Sequence, residues 1–206
     1  LLQEVHHRVK NNLQVISSLI NLQIRKLEPG ENRDALEECR TRVQAIALIH
    51  EKLYQSSDYA EIPFGDYARS LTTNVFQAAA QSTANVRLEL AVDEVALAVD
   101  QAIPCGLVLN ELITNALKHG FRDGRAGTIR VEFSRTPRGG VRLAVKNDGI
   151  SLPEDFESSS SPSLGLHLVS TLARQLDAEL LVTRDRGTSF QLEFQLPEEH
   201  ALRAHS

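Results

Sequence analysis

The chain opens with two stretches whose apolar residues recur at three- and four-residue spacing, the pattern of amphipathic helices. In residues 1–27 one stripe contains Leu2, Val5, Val9, Leu13, Ile16, Ile20, Ile24 and Leu27. In residues 33–55 a second stripe contains Leu36, Cys39, Val43, Ile46, His50 and Leu53. Pro29 and Gly30 interrupt the pattern between them, which predicts an antiparallel helical hairpin. Because neither helix can bury its stripe alone, we expect a homodimer in which each hairpin supplies half of a four-helix bundle.

After residue 60 the period changes, and strands alternate with helices. The predicted strands are 86–90, 95–99, 128–134, 140–146, 179–184 and 188–196. Helices are predicted over 64–81, 100–118 and 164–176, with Asp100 as the cap of the second. This order indicates a mixed sheet covered by helices on one face. The predicted fold class is therefore α+β, with a hairpin domain over residues 1–60 and an α/β sandwich domain over residues 61–206.

Composition narrows the possible partners. The net charge of -5 argues against nucleic acid, and no apolar run is long enough to cross a membrane. Cys39 and Cys105 have apolar neighbours, so we expect buried free thiols and a cytoplasmic location. The chain starts at Leu1 and has no Met, so we expect it to be part of a longer protein.

The first helix carries an unusual polar run from Glu4 to Gln14. At about 100° per residue, the stripe of Val5, Val9 and Leu13 defines its buried face. His7 points away from that stripe, whereas His6 lies on its flank. Of the two side chains, His7 is the one that a second domain could reach, so His7 is the candidate acceptor if this helix accepts a group such as phosphate.

Glu4 and Asn11 lie one helical turn to either side of His7. The carboxylate of Glu4 can accept one imidazole N–H and leave the other nitrogen as the nucleophile. Arg8 or Lys10 could steady the phosphate oxygens. The alternative interpretation is a solvated helix face that carries a run of charges.

The helix that ends near residue 119 places three polar side chains on one face, those of Glu111, Asn115 and Lys118. Asn115 can offer an amide oxygen to Mg²⁺, and Glu111 can accept a hydrogen bond from water or from the attacking group. Lys118 can reach a phosphate as a point charge. Taken alone, the same face is better explained as an ordinary polar surface.

Two glycine-bearing loops follow that helix. In the first, Asn147 or Asp148 could accept from an adenine amino group, and Gly149 would let the base approach the backbone. In the second, Gly165 opens a helix whose free N–H groups can bind phosphates. Each signal is weak by itself, but their order after that helix favours a nucleotide site.

These segments together resemble sensor histidine kinases of the class related to the HWE kinases. The run His7-Arg8-Val9-Lys10-Asn11 is similar to their acceptor box, His-Arg-x-Lys-Asn. Residues 110–119 resemble the N box, 163–168 the second glycine box and 187–190 the last glycine box. The chain has no Trp, which sets it apart from the HWE group proper.

The resemblance implies a dimerisation and histidine-phosphotransfer hairpin followed by an ATPase domain of the histidine-kinase (Bergerat) type. It implies Mg-ATP as phosphate donor, a response-regulator receiver aspartate as acceptor and a sensor domain upstream. The residues it implies for metal, phosphate and nucleotide contacts are Glu111, Asn115, Lys118, His119, Asn147, Asp148, Gly149, Gly165, Leu166 and Thr188.

One box departs from the family pattern Asp-x-Gly-x-Gly. Asn147 stands in place of the Asp, and Ser151 in place of the second Gly. We expect ATP binding to be weakened rather than lost. The departure keeps one alternative open, a histidine phosphotransfer protein whose ATP-binding domain is degenerate. A second alternative is a serine-type kinase or ATPase on the same fold that does not use His7.

Overall fold

The computed structural model describes residues 2–55, 61–79, 85–121, 124–152 and 164–197. Within these ranges, side chains are described except for residues 2–7, 31, 52–55 and 164. Helix α1 (Leu2–Ile24) and helix α2 (Glu31–Gln55) form the predicted antiparallel hairpin. The side-chain contacts between them include Lys10 Nζ to Glu51 Oε2 at 3.3 Å and Arg40 Nη1 to Asn21 Oδ1 at 3.2 Å.

The rest of the chain forms an α/β unit built on a five-stranded sheet. Its helices are α3 (Phe64–Ala78), α4 (Val99–Asn115) and α5 (Leu164–Gln175). Its strands are β1 (Glu61–Pro63), β2 (Val86–Val92), β3 (Ala96–Ala98), β4 (Gly127–Arg135), β5 (Gly140–Asn147), β6 (Glu179–Thr183) and β7 (Thr188–Gln195). The sheet order is β2-β4-β5-β7-β6, and β1 pairs separately with β3. Only the β2–β4 pair of the large sheet is parallel.

Alternation along the central strands decides which face of the sheet meets the helices. On β4, Ile129, Val131 and Phe133 are buried, while Arg130 between them is exposed. The same alternation on β5 and β7 turns a continuous apolar face toward α3, α4 and α5. Burial of this face is the main stabilising term of the unit. The structure thus confirms the predicted fold class, helices packed on one face of a mixed sheet after a helical hairpin.

Helix α2 joins the hairpin to the α/β unit. Its Ala45 and Ile49 are buried in the same core as α3 and α4, and the Tyr67 hydroxyl donates to the Ala45 carbonyl at 3.3 Å. The sequence stripe placed the buried face one residue later, on Ile46 and His50, which are half-buried. The prediction was shifted because the local pattern contains no information about the α/β unit that covers the neighbouring face.

Two smaller expectations are wrong, and one short strand was not predicted. Asp100 does not cap α4, because β3 runs directly into the helix and Ala98 takes the N-cap position without a side-chain hydrogen bond. Cys39 is exposed, although Cys105 is buried as expected and burial raises the pKa of its thiol. Strand β1 was not predicted, since three residues are too short to show a period.

Among the described helices, none combines the length and apolar character needed to cross a bilayer.

Candidate functional site

The first part of the site is the end of α4. The helix ends at Asn115 and continues as a π-helical turn over Ala116–Gly120, a distortion that is frequent at functional sites. Lys118 and His119 of this turn are exposed. The Asn115 side chain is half-buried, and its amide nitrogen has no hydrogen-bond partner within the described part of the chain. A buried amide left without a partner is costly unless a ligand satisfies it.

The beginning of α5 lies against this polar face. A Cβ added to Gly165 would lie 2.7 Å from Glu111 Oε2 and 3.8 Å from the Asn115 amide nitrogen. The free N–H groups of this helix start are therefore beside Glu111 and Asn115, an arrangement suited to phosphate oxygens. The Leu166 side chain is buried in the core, so only its backbone can face a nucleotide.

The last residue of β5 and the first residue of β7 form a second part of the site. Asn147 is buried there; its Oδ1 accepts from the Gly149 N–H at 3.1 Å, and its Nδ2 donates to the Thr188 carbonyl at 3.4 Å. The Thr188 hydroxyl accepts from the Leu152 N–H at 3.1 Å. The structure thus brings the predicted residue Thr188 against Asn147 and Gly149, about 40 positions earlier in the chain.

Gly149 connects the two parts. A Cβ at Gly149 would lie 2.2 Å from the Gly120 carbonyl oxygen, and the Ile150 N–H donates to the same oxygen at 2.9 Å. The loop after β5 therefore lies directly against the π-helical turn, and no other residue type fits at Gly149 without moving one of them.

Asp148 differs from Asn147 in its surroundings. It is exposed, and its Oδ1 accepts from the Thr128 backbone N–H at 2.6 Å. This bond holds the loop to β4. Of the two candidate acceptors for an adenine amino group, Asn147 is thus buried beside Gly149 and Thr188, and Asp148 is exposed beside β4.

Sequence reasoning missed the part that Ser151 plays. Its hydroxyl accepts from the Gly187 N–H at 3.1 Å, at a residue whose φ of +122° favours glycine. A glycine at position 151 could not make this bond. No local pattern distinguishes this Ser from an ordinary loop residue.

Sequence reasoning also missed two residues of α2 that reach the site. Arg42 Nε and Nη2 donate to Glu111 Oε1 and Oε2 at 2.7 and 2.8 Å, and Lys118 Nζ donates to Glu38 Oε1 at 2.7 Å. The hydrogen bond that Arg42 donates to Glu111 raises the pKa of the Arg42 guanidinium, against the opposing effect of burial. In sequence, Glu38 and Arg42 are four residues apart, a spacing that is common for ion pairs within one helix, so no local signal marks them.

The candidate acceptor lies at the other end of the hairpin. Glu4 and His7 lie in the first turns of α1, but their side chains are outside the described residues. Arg8 is exposed, and Lys10 is paired with Glu51 of α2. The Lys10 ammonium, considered for the phosphate near His7, thus lies 3.3 Å from a carboxylate oxygen of α2.

Two family profiles match the chain. One, described as histidine kinase (HisKA_2), matches residues 4–79. The other, described as histidine kinase-, DNA gyrase B-, and HSP90-like ATPase, matches residues 100–199.

Individual proteins match over nearly the whole chain. The chain is 35% identical over 195 residues to the sensor histidine kinase PdtaS of Mycobacterium tuberculosis. The matched region covers 93% of this chain and 38% of PdtaS. It is 32% identical over 210 residues to blue-light-activated histidine kinase 2 of Erythrobacter litoralis, covering 98% and 58% respectively. The chain thus spans well under two thirds of the length of these relatives.

A solved structure matches both parts of the fold. The histidine kinase domain of the Erythrobacter litoralis EL346 blue-light activated histidine kinase has a TM-score of 0.73 and 29% identity, covering 97% of this chain and 94% of that one. Both family profiles, these relatives and this structure confirm the resemblance to sensor histidine kinases. The chain belongs to the histidine kinase family.

Proposed function

We propose that this chain is the catalytic core of a sensor histidine kinase, which phosphorylates its own His7 from Mg-ATP and passes the phosphate to an aspartate of a response-regulator receiver domain. The observation that carries this proposal is the convergence of Glu111, Asn115 and the Gly165 helix start on one polar surface. This convergence supports binding of a Mg-triphosphate, since it brings together a carboxylate, an amide nitrogen without a partner among the described residues, and the N–H groups of a helix start.

The chemistry follows from the nature of these groups. One imidazole nitrogen of His7 attacks the γ-phosphorus, the bond from that phosphorus to the β–γ bridging oxygen breaks, and ADP leaves. Glu4 orients or deprotonates the ring, and Glu111 accepts a hydrogen bond from the attacking group. Lys118 and the backbone N–H groups at Gly165 hold phosphate oxygens.

Magnesium fits the donor set. The Asn115 amide would turn its oxygen to Mg²⁺, a hard cation that prefers oxygen ligands and neutralises phosphate charge when bound. Asn147 would accept from the adenine amino group, and the remaining predicted residues His119, Asp148, Gly149 and Thr188 would shape or contact the nucleotide.

The test is incubation of the chain with γ-labelled ATP and Mg²⁺, followed by acid and base treatment. We expect label on the protein that is lost in acid and stable in base, because a phosphoramidate is acid-labile. Base-labile or acid-stable label, or release of free phosphate without label, would support the serine-type kinase or ATPase alternative.

The degenerate alternative has one observation in its favour, the presence of Asn147 and Ser151 in the first glycine box. It predicts no label from ATP, but label from a phosphorylated receiver domain. The same experiment with both donors therefore distinguishes it from the autokinase.

The homodimer is part of the proposal, and exposed apolar side chains on α1 support it. Val15, Ile16, Leu19 and Leu22 lie on the hairpin surface, where a second hairpin would cover them in a four-helix bundle. Replacement of Leu19 and Leu22 by Glu is expected to convert a dimer into a monomer, as measured by sedimentation velocity.

The matched control is Leu181→Glu on β6. Leu181 is 51% exposed and Leu19 is 57% exposed, so both changes place a charge on an exposed apolar position. The control is expected to stay dimeric. A wild-type chain that sediments as a monomer at high micromolar concentration would contradict the dimer proposal.

The proposal also covers the sensor domain, the receiver-domain partner and the cellular compartment of the kinase. The names of the relatives support a sensor domain elsewhere in a longer protein and a receiver domain as partner. The buried thiol of Cys105 fits a reducing compartment such as the cytoplasm.

A further inference from the structure

Four charged groups of alternating sign join the hairpin to the candidate nucleotide site. Lys118 donates to Glu38 Oε1 at 2.7 Å, and Arg42 Nη2 donates to Glu38 Oε2 at 3.5 Å. The Arg42 guanidinium then makes two parallel hydrogen bonds to Glu111. Such bidentate pairs are the strongest type of charge-assisted contact. The chain of charges runs from the π-helical turn through α2 and back to α4.

This network engages the groups that the proposed reaction needs. Both carboxylate oxygens of Glu111 bond to Arg42, and Glu111 is only 4% exposed. It therefore has little access to water or to an incoming imidazole. The Lys118 ammonium contacts a carboxylate instead of a phosphate oxygen. A Cβ at Gly165 would lie 3.8 Å from Arg42 Nη2, so the guanidinium also lies beside the start of α5.

The network also fixes where the site lies along the hairpin. The Arg40–Asn21 and Lys10–Glu51 contacts define which residues of α1 and α2 lie side by side. By that register Arg42 is near residue 19 of α1. At about 1.5 Å of rise per residue, His7 lies roughly 18 Å further along the hairpin axis. Reacting atoms must approach to about 3–3.5 Å, so this arrangement cannot transfer phosphate to His7.

The α/β unit has room to take up another position. A cleft of about 1310 Å³ separates α1 from α3 and α4; it is lined by Lys10 and Leu13 toward the His7 end and by Asn110 and Lys118 on the other side. The α/β unit contacts the hairpin through α2, at the buried residues Ala45 and Ile49 and at the charge network. Loss of the network would remove the ion pairs between α2 and α4, while the apolar contact and the Tyr67–Ala45 hydrogen bond would remain.

We infer that Glu38 and Arg42 form an autoinhibitory latch, which holds the ATPase unit in a resting position far from His7 with Glu111 and Lys118 occupied. The inference rests on the proposed kinase function and concerns its regulation. Release of the latch frees Glu111 and Lys118 together and lets the unit move along the hairpin. An input that shifts α2 relative to α4 would act through these two residues.

The test compares Arg42→Gln and Glu38→Lys with the wild-type chain. Arg42→Gln removes both bonds to Glu111, and Glu38→Lys places a cation next to Lys118 and Arg42. We expect each to raise the initial rate of histidine labelling at saturating Mg-ATP by about threefold to tenfold, because the latched population falls. Arg33→Gln is the matched control, because Arg33 pairs with Glu37 of the same helix and this change should leave the rate unchanged.

A second measurement does not depend on activity. Without nucleotide, amide hydrogen exchange over residues 38–49 and 108–115 should be faster in Arg42→Gln and Glu38→Lys than in wild type and Arg33→Gln. Unchanged exchange in both variants would overturn the latch. A slower labelling rate in Arg42→Gln would also overturn it, by making Arg42 a participant in the reaction.

Failure of the kinase proposal would look different. If wild type and every variant take no label, the autokinase proposal fails, and the exchange data alone decide whether these residues hold the two parts together. If Arg42→Gln does not fold, Glu38→Lys still tests the network, because its labelling rate and its amide hydrogen exchange can both be measured.

Discussion

Replacement of His7 by Gln is expected to reduce acid-labile phosphate incorporation from labelled ATP to background. The glutamine amide nitrogen is not a nucleophile, whereas a neutral imidazole nitrogen is. Gln keeps a similar length and polarity on a helix surface, so the fold should be retained. Binding of an ATP analogue, measured by calorimetry, should stay within about twofold of wild type, because the change is roughly 18 Å of helix away from the nucleotide site.

The neighbouring histidine provides the control. By helical spacing His6 flanks the apolar stripe of α1 while His7 faces away from it, so His6→Gln should retain most of the labelling. Label that persists at full level in His7→Gln would contradict the assignment, and loss of label only in His6→Gln would move the acceptor to that residue.

Replacement of Asn115 by Ala is expected to lower the labelling rate by about 100-fold or more, the size of effect seen when a group that stabilises transition-state charge is removed. The same change should not destabilise the protein. The Asn115 amide nitrogen has no partner within the described residues, and Ala is a better helix former by about 0.6 kcal/mol. We therefore expect thermal unfolding at an equal or slightly higher temperature together with the loss of activity.

Thr114→Val is the matched control for this prediction. The Thr114 hydroxyl is also buried without a partner in the described part of the chain, but it lines the cleft beside the hairpin instead of the nucleotide site. This variant should unfold at about the same temperature as the wild-type chain and take up label at the wild-type rate. A large drop in unfolding temperature for Asn115→Ala, with labelling unchanged, would show that Asn115 has a structural role only.

The order and type of most elements could be predicted from the sequence. The central strands are visible because one face of the sheet is covered by helices and the other is solvated, so the period of two is clear on β4, β5 and β7. The ends of elements were less certain. Helix α4 was predicted to start at Asp100, but the chain passes from β3 into the helix at Val99 without a side-chain cap.

The candidate nucleotide residues could be named from motif order, but their relations could not. Gly149 is needed because the Gly120 carbonyl lies against it, and Ser151 is tolerated because it bonds to Gly187. Both relations join loops that follow different elements. The family pattern marked Ser151 as a departure, and only the packed loops give it a structural role.

The sequence by itself determined the helical hairpin, the mixed sheet, the acceptor box and the set of nucleotide-site candidates, because each depends on residue spacing within one segment. Only the tertiary structure decided which face of α2 is buried and that Arg42 and Glu38 bond to Glu111 and Lys118. Those contacts join residues separated by 69 and 80 positions, and local periodicity carries no information at that separation. The physical reason is that a charged side chain on a helix surface pairs with whichever opposite charge the fold brings within reach, and packing of the apolar core sets that partner.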